Sequence, residues 1–269
     1  MTTLVTSLNR SLFEIYGRNM IEGFNRFSQD VKMIIVFEGE IPKGEVPESE
    51  LIRVVKLESS EYEYFHNVFG RLYEAHGLKI IQERQLDGKI QLKPVQDYRF
   101  NLVRFSFKIF SLDIARKLIA PQERFAWIDA DLKCLKKFSQ LDLDNFFPKG
   151  IEIMSYLKRV SHPPKAPYSE CGFLGFNCEA PGLDPFLQRM KSLYVTGEAF
   201  RFDEWHDSWL WDEVRKEFEA KGHSFRSISG KYENTEHPFI NCGLGEYFDH
   251  LKGPERKKAG KSFSSDYKN

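Results

Sequence analysis

The sequence predicts an α/β fold class, with one central sheet that is mixed but mostly parallel and is flanked by helices. Three observations support this prediction. A strand, a helix and a second strand follow one another within residues 2–37, an order that makes the two strands parallel. A long amphipathic helix then leads into a strongly apolar strand. The 269 residues, 41% of them hydrophobic, are enough for one large core.

Hydrophobic periodicity places the elements of the first half. Runs rich in β-branched and other apolar residues predict strands at 2–8, 31–37, 51–57 and 125–128. Apolar residues that recur every three or four positions predict helices at 16–27, 61–76 and 97–117.

The same patterns continue in the second half. Strands are expected at 151–156 and 171–177. Helices are expected at 184–196 and 203–219. Residues 237–245 are predicted to form a short strand and a turn. The sequence shows no internal repeat and no linker.

Composition limits the class of protein. With 39 basic and 39 acidic residues, the chain as a whole is not built to be attracted to nucleic acid or to an anionic membrane. No apolar run approaches the ~20 residues that span a bilayer. The four cysteines have no metal-binding spacing and are expected to be reduced thiols. We therefore expect a cytoplasmic protein without a membrane span.

The motif Asp129-Ala130-Asp131 organises the site prediction. It ends the apolar run at 125–128, where buried carboxylates are unfavourable unless a positive charge faces them. Two carboxylates that flank one small residue can bind a hard divalent cation, directly or through water. The alternative is a solvated turn, in which aspartate is common. Three later segments favour the metal interpretation.

Those segments are Glu170-Cys171-Gly172-Phe173-Leu174-Gly175-Phe176-Asn177, Trp205-His206-Asp207 and His250-Leu251-Lys252-Gly253-Pro254-Glu255-Arg256. Together with the aspartate motif, and in this order across most of the chain, they resemble the GT-A fold of nucleotide-sugar glycosyltransferases. The last segment is similar to the His-x-x-Gly-x-x-Lys segment of glycogenin-like and galactosyltransferase-like retaining enzymes. Here Arg256 stands in place of the lysine, and Lys257 follows it.

The resemblance implies a Rossmann-like GT-A domain over residues 1–256, with a nucleotide-binding half at 1–135 and an acceptor half at 136–256. Residues 257–269 are expected to form a basic, flexible tail. The resemblance also implies a metal-dependent transfer of a sugar from a nucleotide-sugar donor, UDP-linked in most such enzymes, to an acceptor hydroxyl.

The expected cofactor is Mn²⁺ or Mg²⁺. Asp131 is assigned as the direct ligand, whereas Asp129 is expected to bind the cation through water or to hold the donor ribose. His250 would add an imidazole nitrogen, which favours Mn²⁺ over Mg²⁺. A surface histidine beside a basic tail is the alternative for His250.

Further residues are assigned to the donor nucleotide. Ligands of open α/β sheets bind at the carboxyl ends of strands. The base or ribose is therefore expected to contact the end of the first strand, at Thr6, Ser7 and Asn9. By the resemblance, the helix before the aspartate motif supplies basic residues that reach the nucleotide, Arg104 and Lys108. Their alternative role is a solvated helix face.

The diphosphate and the reacting groups complete the predicted site. Gly253 would let the backbone approach the diphosphate closely, and Arg256 or Lys257 would neutralise its oxygens. Asp207 is assigned a catalytic role, as the general base of an inverting enzyme or as a positioning group of a retaining one. Its alternative is a helix cap. Glu170 is expected to contact donor hydroxyls or to lie in a solvated loop.

Two other functions stay open. A nucleotidyltransferase that makes nucleotide sugars would show a glycine-rich, basic N-terminal loop, whereas residues 6–17 contain one glycine. A non-catalytic carbohydrate-binding protein would not need aspartates and a histidine to meet at a cation. The acceptor is undecided among a surface polysaccharide precursor, a protein, a small molecule and, in a phage protein, a hydroxymethylated DNA base. The oligomeric state is likewise open.

Overall fold

The computed structural model describes residues 1–41, 44–46, 49–84, 89–160 and 168–268. The strands in these ranges, in chain order, are β1 (Thr2–Asn9), β2 (Lys32–Glu38), β3 (Ile52–Lys56), β4 (Leu78–Arg84), β5 (Ile90–Gln96), β6 (Arg124–Ile128), β7 (Leu132–Cys134), β8 (Met154–Leu157), β9 (Glu170–Asn177), β10 (Phe225–Ser227) and β11 (Phe248–His250).

The α-helices of the same ranges are α1 (Arg10–Leu12), α2 (Arg18–Phe27), α3 (Ser60–Phe69), α4 (Leu102–Leu118), α5 (Gln140–Leu143), α6 (Leu183–Val195), α7 (Asp207–Glu219), α8 (Pro238–Asn241) and α9 (Pro254–Ala259). A π-helical turn at Phe13–Gly17 joins α1 to α2. None of the helices in the described ranges is long and apolar enough to cross a membrane.

The central sheet is mixed and mostly parallel, as predicted. Among the described residues it has seven strands in the order β10-β8-β9-β6-β1-β2-β3. Strand β1 lies between β2 and β6 and is parallel to both. Strand β9 is antiparallel to β6 and to β8. The predicted α/β fold class is therefore confirmed.

Both faces of the sheet are covered, which explains why nearly every residue of its central strands is buried. Successive residues of β1 point to opposite faces: Leu4 packs in the layer that contains Phe24 of α2, and Val5 in the layer that contains Phe110 of α4. Helix α4 packs on β1 and on α6, and α6 packs on α7. This double-sided burial is typical of parallel sheets.

Most predicted elements of the first half are present, with one shortened and one missed. The helix expected at 61–76 ends at Phe69 before Gly70. The hairpin of β4 and β5 was not predicted. Its aliphatic residues are largely exposed; Ile80, for example, is 74% exposed. The alternation of buried and exposed residues that identifies a strand is therefore missing here.

The prediction for residues 237–245 was wrong. Pro238 opens helix α8, where its missing N–H costs nothing, and a 3₁₀ turn follows at Gly243–Glu246. The strand comes just afterwards, as β11, which pairs antiparallel with β7 and sets His250 opposite Leu132. This pairing brings the C-terminal part of the chain next to the aspartate motif.

Two carboxylates hold the segment after β11: Asp266 closes the segment on itself, and Asp249 attaches it to β11. Asp266 accepts hydrogen bonds from two nitrogens of Arg256, one of them Nε at 2.6 Å. Asp249 accepts from the backbone N–H of Ser262 at 2.8 Å and from its hydroxyl. Residues 257–268, expected to form a flexible tail, make these contacts, and residue 269 lies outside the described ranges. The flexibility and the division of the domain at residues 135 and 256 stay predictions.

We expect Asp266→Ala to loosen residues 254–268 without unfolding the sheet, because Arg256 loses its carboxylate partner. Amide hydrogen exchange of this segment should become faster, while global stability should fall by only about 1 kcal/mol. Glu255→Gln is the matched control, since Glu255 is an exposed carboxylate on α9, the helix that carries Arg256. Unchanged exchange in the Asp266 variant would show that other contacts hold the segment.

The same anchor should weaken in acid. Hydrogen bonds from Arg256 are the main cause that lowers the pKa of Asp266. A lowered folded-state pKa stabilises the fold above the unfolded pKa of about 4, and this contribution disappears as the pH falls through the folded value. The protection factors of residues 254–268, which correct for the pH dependence of intrinsic amide exchange, should therefore fall below about pH 4 in the native chain but change less in Asp266→Ala.

Candidate metal and nucleotide site

Three distant segments meet at one edge of the sheet because of the strand directions. Strand β6 ends at Ile128, and the aspartate motif follows at this carboxyl edge. Strand β9 runs in the opposite direction, so its first residues lie at the same edge, and the backbone N–H of Asp129 donates to Gly172 O at 3.1 Å. The β7–β11 pairing adds His250.

The predicted metal ligands are brought together. His250 Nε2 lies 3.3 Å from Asp131 Oδ1 and 3.6 Å from Asp129 Oδ2. One ligand atom from each of the three residues lies within 4.8 Å of the others. His250 and Asp131 are buried and Asp129 is half-buried. Two carboxylate oxygens and an imidazole nitrogen form a donor set that suits Mn²⁺.

The charges in this group support one another. Burial alone would raise the pKa of Asp129, but the charges of Lys108 and His250 outweigh burial and lower it. The pKa of Asp131 is lowered in the same way, against burial, mainly by His250. Burial would lower the pKa of His250, and Asp131 and its neighbours instead raise it well above the usual value. Both aspartates are therefore held in the charged form that binds cations.

Lys108 connects the aspartate motif to Asp207. Its buried ammonium donates to Cys171 O at 2.8 Å and to Asp207 Oδ2 at 2.5 Å, and lies 3.2 Å from Asp129 Oδ1. Burial would lower the pKa of Lys108, but the charges of Asp129 and Asp207 raise it. The structure therefore places Lys108 between two carboxylates of the site.

Asp207 is not the cap of helix α7. His206 holds that position, and its Nδ1 accepts from the backbone N–H of Trp209 at 3.4 Å. Asp207 is the first helical residue, and its Oδ1 accepts from the N–H of Ser208 at 2.8 Å while Oδ2 faces Lys108. The capping alternative for Asp207 is thus replaced by a buried ion pair beside the aspartate motif.

Glu170 lies behind His250 rather than at the surface. Its side chain is 2% exposed, and Oε1 is 3.2 Å from His250 Nδ1. Its Oε2 accepts from the N–H of Phe239 at 3.1 Å. Burial would raise the pKa of Glu170, but the charges of Lys252 and His237 outweigh it, and the pKa falls well below its usual value. This placement differs from the expected contact with donor hydroxyls, because the carboxylate is covered by protein.

The two C-terminal cations have different partners. Lys257 Nζ lies 2.7 Å from Asp131 Oδ2 and 5.0 Å from the centre of the Tyr16 ring. Arg256 instead binds Asp266. Gly253 has φ +86°, and a side-chain carbon there would meet, among the described residues, only Arg256 Nη1, at 4.0 Å, so its backbone has open space beside it. Of the two predicted diphosphate cations, Lys257 is the one at the aspartate motif.

The residues assigned to the end of β1 have mixed positions. Thr6 is fully buried, and its hydroxyl has no hydrogen-bond partner among the described residues. Ser7 is half-buried. Asn9 caps α1 by accepting from the N–H of Leu12 at 2.9 Å, and its amide donates to Glu38 Oε2 at 3.3 Å. Asn9 and Glu38 thus meet at the carboxyl ends of β1 and β2.

Arg104 is exposed on α4, one turn before Lys108. Burial, which has the largest effect, and the charges of Asp131 and Asp129 raise the pKa of Tyr16. The positive charge of Arg104 lowers this pKa, but by less. Arg104 therefore lies within electrostatic range of the ring that borders the aspartate motif. Tyr16 itself was missed by the sequence analysis, which gave it only a place on a helix.

His237 was also missed. It is buried, and its Nε2 donates to the backbone O of His250 at 3.0 Å. Its Nδ1 lies 2.9 Å from Glu170 Oε1 without the geometry of a hydrogen bond. No local pattern could have assigned it, since its contacts depend on how α8, β9 and β11 pack together.

A cavity of about 340 Å³ lies elsewhere, beside residues that include Met1, Arg124 and Asn177. These residues mark the amino ends of β1 and β6, the edge opposite to the aspartate motif. The converging carboxylates, imidazole and ammonium groups identify the carboxyl edge, rather than this cavity, as the candidate site.

No family model and no curated protein matches the chain. Solved structures do resemble it. Mouse xyloside xylosyltransferase 1, in its apo form, is 12% identical over 85% of each chain, with a TM-score of 0.48. A galactosyltransferase, LgtC, in complex with donor and acceptor sugar analogues, is 10% identical over 94% of this chain and 87% of its own, with a TM-score of 0.49.

The glycosyltransferase GlyE of Streptococcus pneumoniae is 11% identical over 85% of this chain, with TM-scores of 0.45 and 0.48 in two structures. This chain spans 45–46% of GlyE. These structures are all glycosyltransferases, the class that the sequence motifs resemble. Because each TM-score lies below 0.5, the likenesses assign no donor, acceptor or metal to this chain.

We expect Lys108→Met to destabilise the fold by about 3–5 kcal/mol, because it leaves the carboxylates of Asp129 and Asp207 without their buried partner. Urea unfolding would measure the loss. Adding Asp207→Asn should recover part of it, since one of the two charges is then removed.

Lys117→Met is the matched control, because Lys117 lies on the same helix with its side chain 62% exposed. Its effect should stay within about 0.5 kcal/mol. A loss below about 1 kcal/mol for Lys108→Met, the range of exposed ion pairs, would contradict a buried charge network.

Proposed function

We propose that the protein is a metal-dependent glycosyltransferase. It would move a sugar from a nucleotide-sugar donor, a UDP-sugar, to an acceptor hydroxyl. The observation that carries this proposal is the convergence of Asp129, Asp131 and His250, with Lys257 beside them. Such a donor presents a diphosphate that gains negative charge as its bond to the sugar breaks. A divalent cation and an ammonium group at one point are suited to that charge.

The metal would be held by Asp129, Asp131 and His250. Their oxygen and nitrogen donors fit Mn²⁺, and Mg²⁺ fits the carboxylates alone. When bound, the metal would supply Lewis-acid stabilisation of the diphosphate leaving group. Binding of the metal would replace the proton on His250 Nε2, and the charge of the metal, together with Lys108 beside Asp129, would then keep both aspartates ionised.

The diphosphate would be bound by Lys257 and approached by the backbone of Gly253. Lys257 is paired with Asp131, and a metal on Asp131 would leave its ammonium for a phosphate oxygen. Arg256 was assigned the same role from the sequence. Its bond to Asp266 favours instead the role of fixing the segment that carries Lys257.

The nucleoside would lie at the carboxyl ends of β1 and β2, near Ser7 and Asn9, with Thr6 beneath them. Arg104 is proposed to face the nucleotide from α4. The donor sugar and the acceptor would lie toward Asp207, on the far side of Lys108 from the aspartate motif. Asp207 Oδ2 accepts from the ammonium of Lys108, and its Oδ1 accepts from the N–H of Ser208. A carboxylate with both oxygens engaged is a poor general base, so we assign Asp207 to positioning the reacting sugar or the acceptor.

A screen of nucleotide sugars would test the proposal. The cognate donor with Mn²⁺ should raise the free energy of unfolding by about 2.7 kcal/mol at about 100 times its Kd, and should therefore raise the melting temperature. It should also be hydrolysed slowly, and EDTA should remove both effects. A nucleotidyltransferase would instead release pyrophosphate from a nucleoside triphosphate and a sugar phosphate. A carbohydrate-binding protein would be stabilised by free glycans without metal.

We expect Asp131→Asn to abolish donor hydrolysis and transfer while the protein stays folded. The amide keeps the size of the side chain but removes the charge that holds the cation. Asp184→Asn is the control, since Asp184 is exposed on α6 and pairs with Arg116. Turnover in Asp131→Asn equal to that of the native enzyme, at saturating donor and ordinary Mn²⁺, would exclude Asp131 as an essential ligand.

A further inference from the structure

The imidazole of His250 is held on several sides by residues outside the predicted metal group. Glu170 Oε1 lies 3.2 Å from its Nδ1. The Phe239 ring lies 5.1 Å from it, centre to centre. On the β9 side, a side-chain carbon at Gly172 would lie only 2.7 Å from His250 Cε1. The ring therefore occupies a slot that exists because residue 172 has no side chain.

The partner of Nδ1 decides which nitrogen of His250 is free. An ionised carboxylate only accepts hydrogen bonds, so Nδ1 must carry the proton that faces Glu170. Nε2 is the nitrogen that faces Asp129 and Asp131; a cation bound there would take the place of the proton on Nε2, while the proton on Nδ1 would stay with Glu170. A ring with its proton on Nδ1 is the one that can join the two aspartates at a cation.

The backbone of His250 is fixed as well. His237 Nε2 donates to its carbonyl oxygen at 3.0 Å, and His237 Nδ1 stands 2.9 Å from the same Glu170 oxygen. Glu170 in turn is tied to the start of α8 through the N–H of Phe239. The contacts of the His250 side chain and those of its backbone therefore both hold the ring with Nε2 facing Asp129 and Asp131.

We propose that Glu170 is a positioning residue: by accepting the Nδ1 proton of His250 it fixes the ring so that Nε2 is a metal ligand, and His237 supports this arrangement. The inference rests on the metal site of the proposed function. It gives Glu170 a role through His250 instead of a contact with the donor sugar, in keeping with its nearly complete burial. Carboxylates that orient metal-bound histidines in this way usually change metal affinity about 10–100-fold.

Glu170, His237 and His250 also have ligand atoms within 4.8 Å of one another, so an ion among them is the competing arrangement. Burial favours positioning. The side chains of Glu170 and His237 are 2% and 6% exposed, whereas that of Asp129 is 30% exposed. The side of the His250 ring that carries Nε2 is therefore the side open to an ion from solvent.

The test is Mn²⁺ binding to the full chain without donor or acceptor. Affinity is measured by titration, and coordination by the ¹⁴N modulation that a bound imidazole gives in pulsed EPR. Glu170→Gln has nearly the same shape, but its single carbonyl oxygen cannot serve both Phe239 and His250. We expect its Mn²⁺ affinity to fall about 10–100-fold and its ¹⁴N signal to be lost, as in His250→Ala.

Gly172→Ala disturbs the same ring from the other side without changing Glu170, and should weaken the ¹⁴N signal as well. Asp113→Asn is the control, because Asp113 is a buried carboxylate paired with Lys191 and Lys117. It should keep the native affinity and signal even if it lowers stability. This pattern separates positioning of the ligand from a general loss of structure.

Three results would overturn the inference: native Mn²⁺ affinity and ¹⁴N signal in Glu170→Gln, no ¹⁴N signal in the native protein, or a second bound Mn²⁺ that His237→Ala removes. The proposed function fails differently. If Mn²⁺ binds with the expected dependence on Glu170 but no nucleotide sugar is bound or hydrolysed, the positioning role stands and the proposed glycosyltransferase activity does not.

Discussion

The structure depends on the pairing of buried charges at the carboxyl edge of the sheet. Asp129, Asp131, Glu170 and Asp207 bring four carboxylates into a small, largely protein-covered region. Carboxylates in such surroundings are tolerated only when they are paired or bind a cation. Lys108 meets Asp129 and Asp207, and Lys257 meets Asp131. Each cation comes from a different part of the chain, so the site exists only once the whole domain has folded.

The strand directions make this pairing possible. Parallel β1 and β6 bring their carboxyl ends to one edge, and the reversed β9 brings its beginning there. Strand β11, from the C-terminal part of the chain, pairs with β7, which directly follows the aspartate motif. This pairing places His250 beside Asp129 and Asp131. The segment that carries Lys257 follows β11. The few backbone hydrogen bonds between β7 and β11 therefore position both His250 and the segment that carries Lys257.

The cations also suggest how the site would respond to ligands. Lys257 neutralises Asp131 in the structure, and a metal at the aspartates would release it toward an anion. Lys108 has no such alternative, because it is buried among Cys171, Asp129 and Asp207. Lys257 is thus placed to exchange partners, whereas Lys108 holds Asp207 to Asp129.

The sequence by itself determined the sheet class, most of the central elements and the acidic motif. It could do so because apolar strands buried on both faces leave a clear local pattern, and because Asp129 and Asp131 interrupt that pattern. The exposed β4–β5 hairpin leaves no such trace. Only the tertiary structure decided that Arg256 serves Asp266, that His206 rather than Asp207 caps α7, and that Glu170 and His237 lie behind His250. The first two contacts are short in sequence, three and ten residues, and depend on where α7 begins and how the last segment folds back. The contact of Glu170 with His250 spans 80 residues, and its distance follows from packing, which no local pattern encodes.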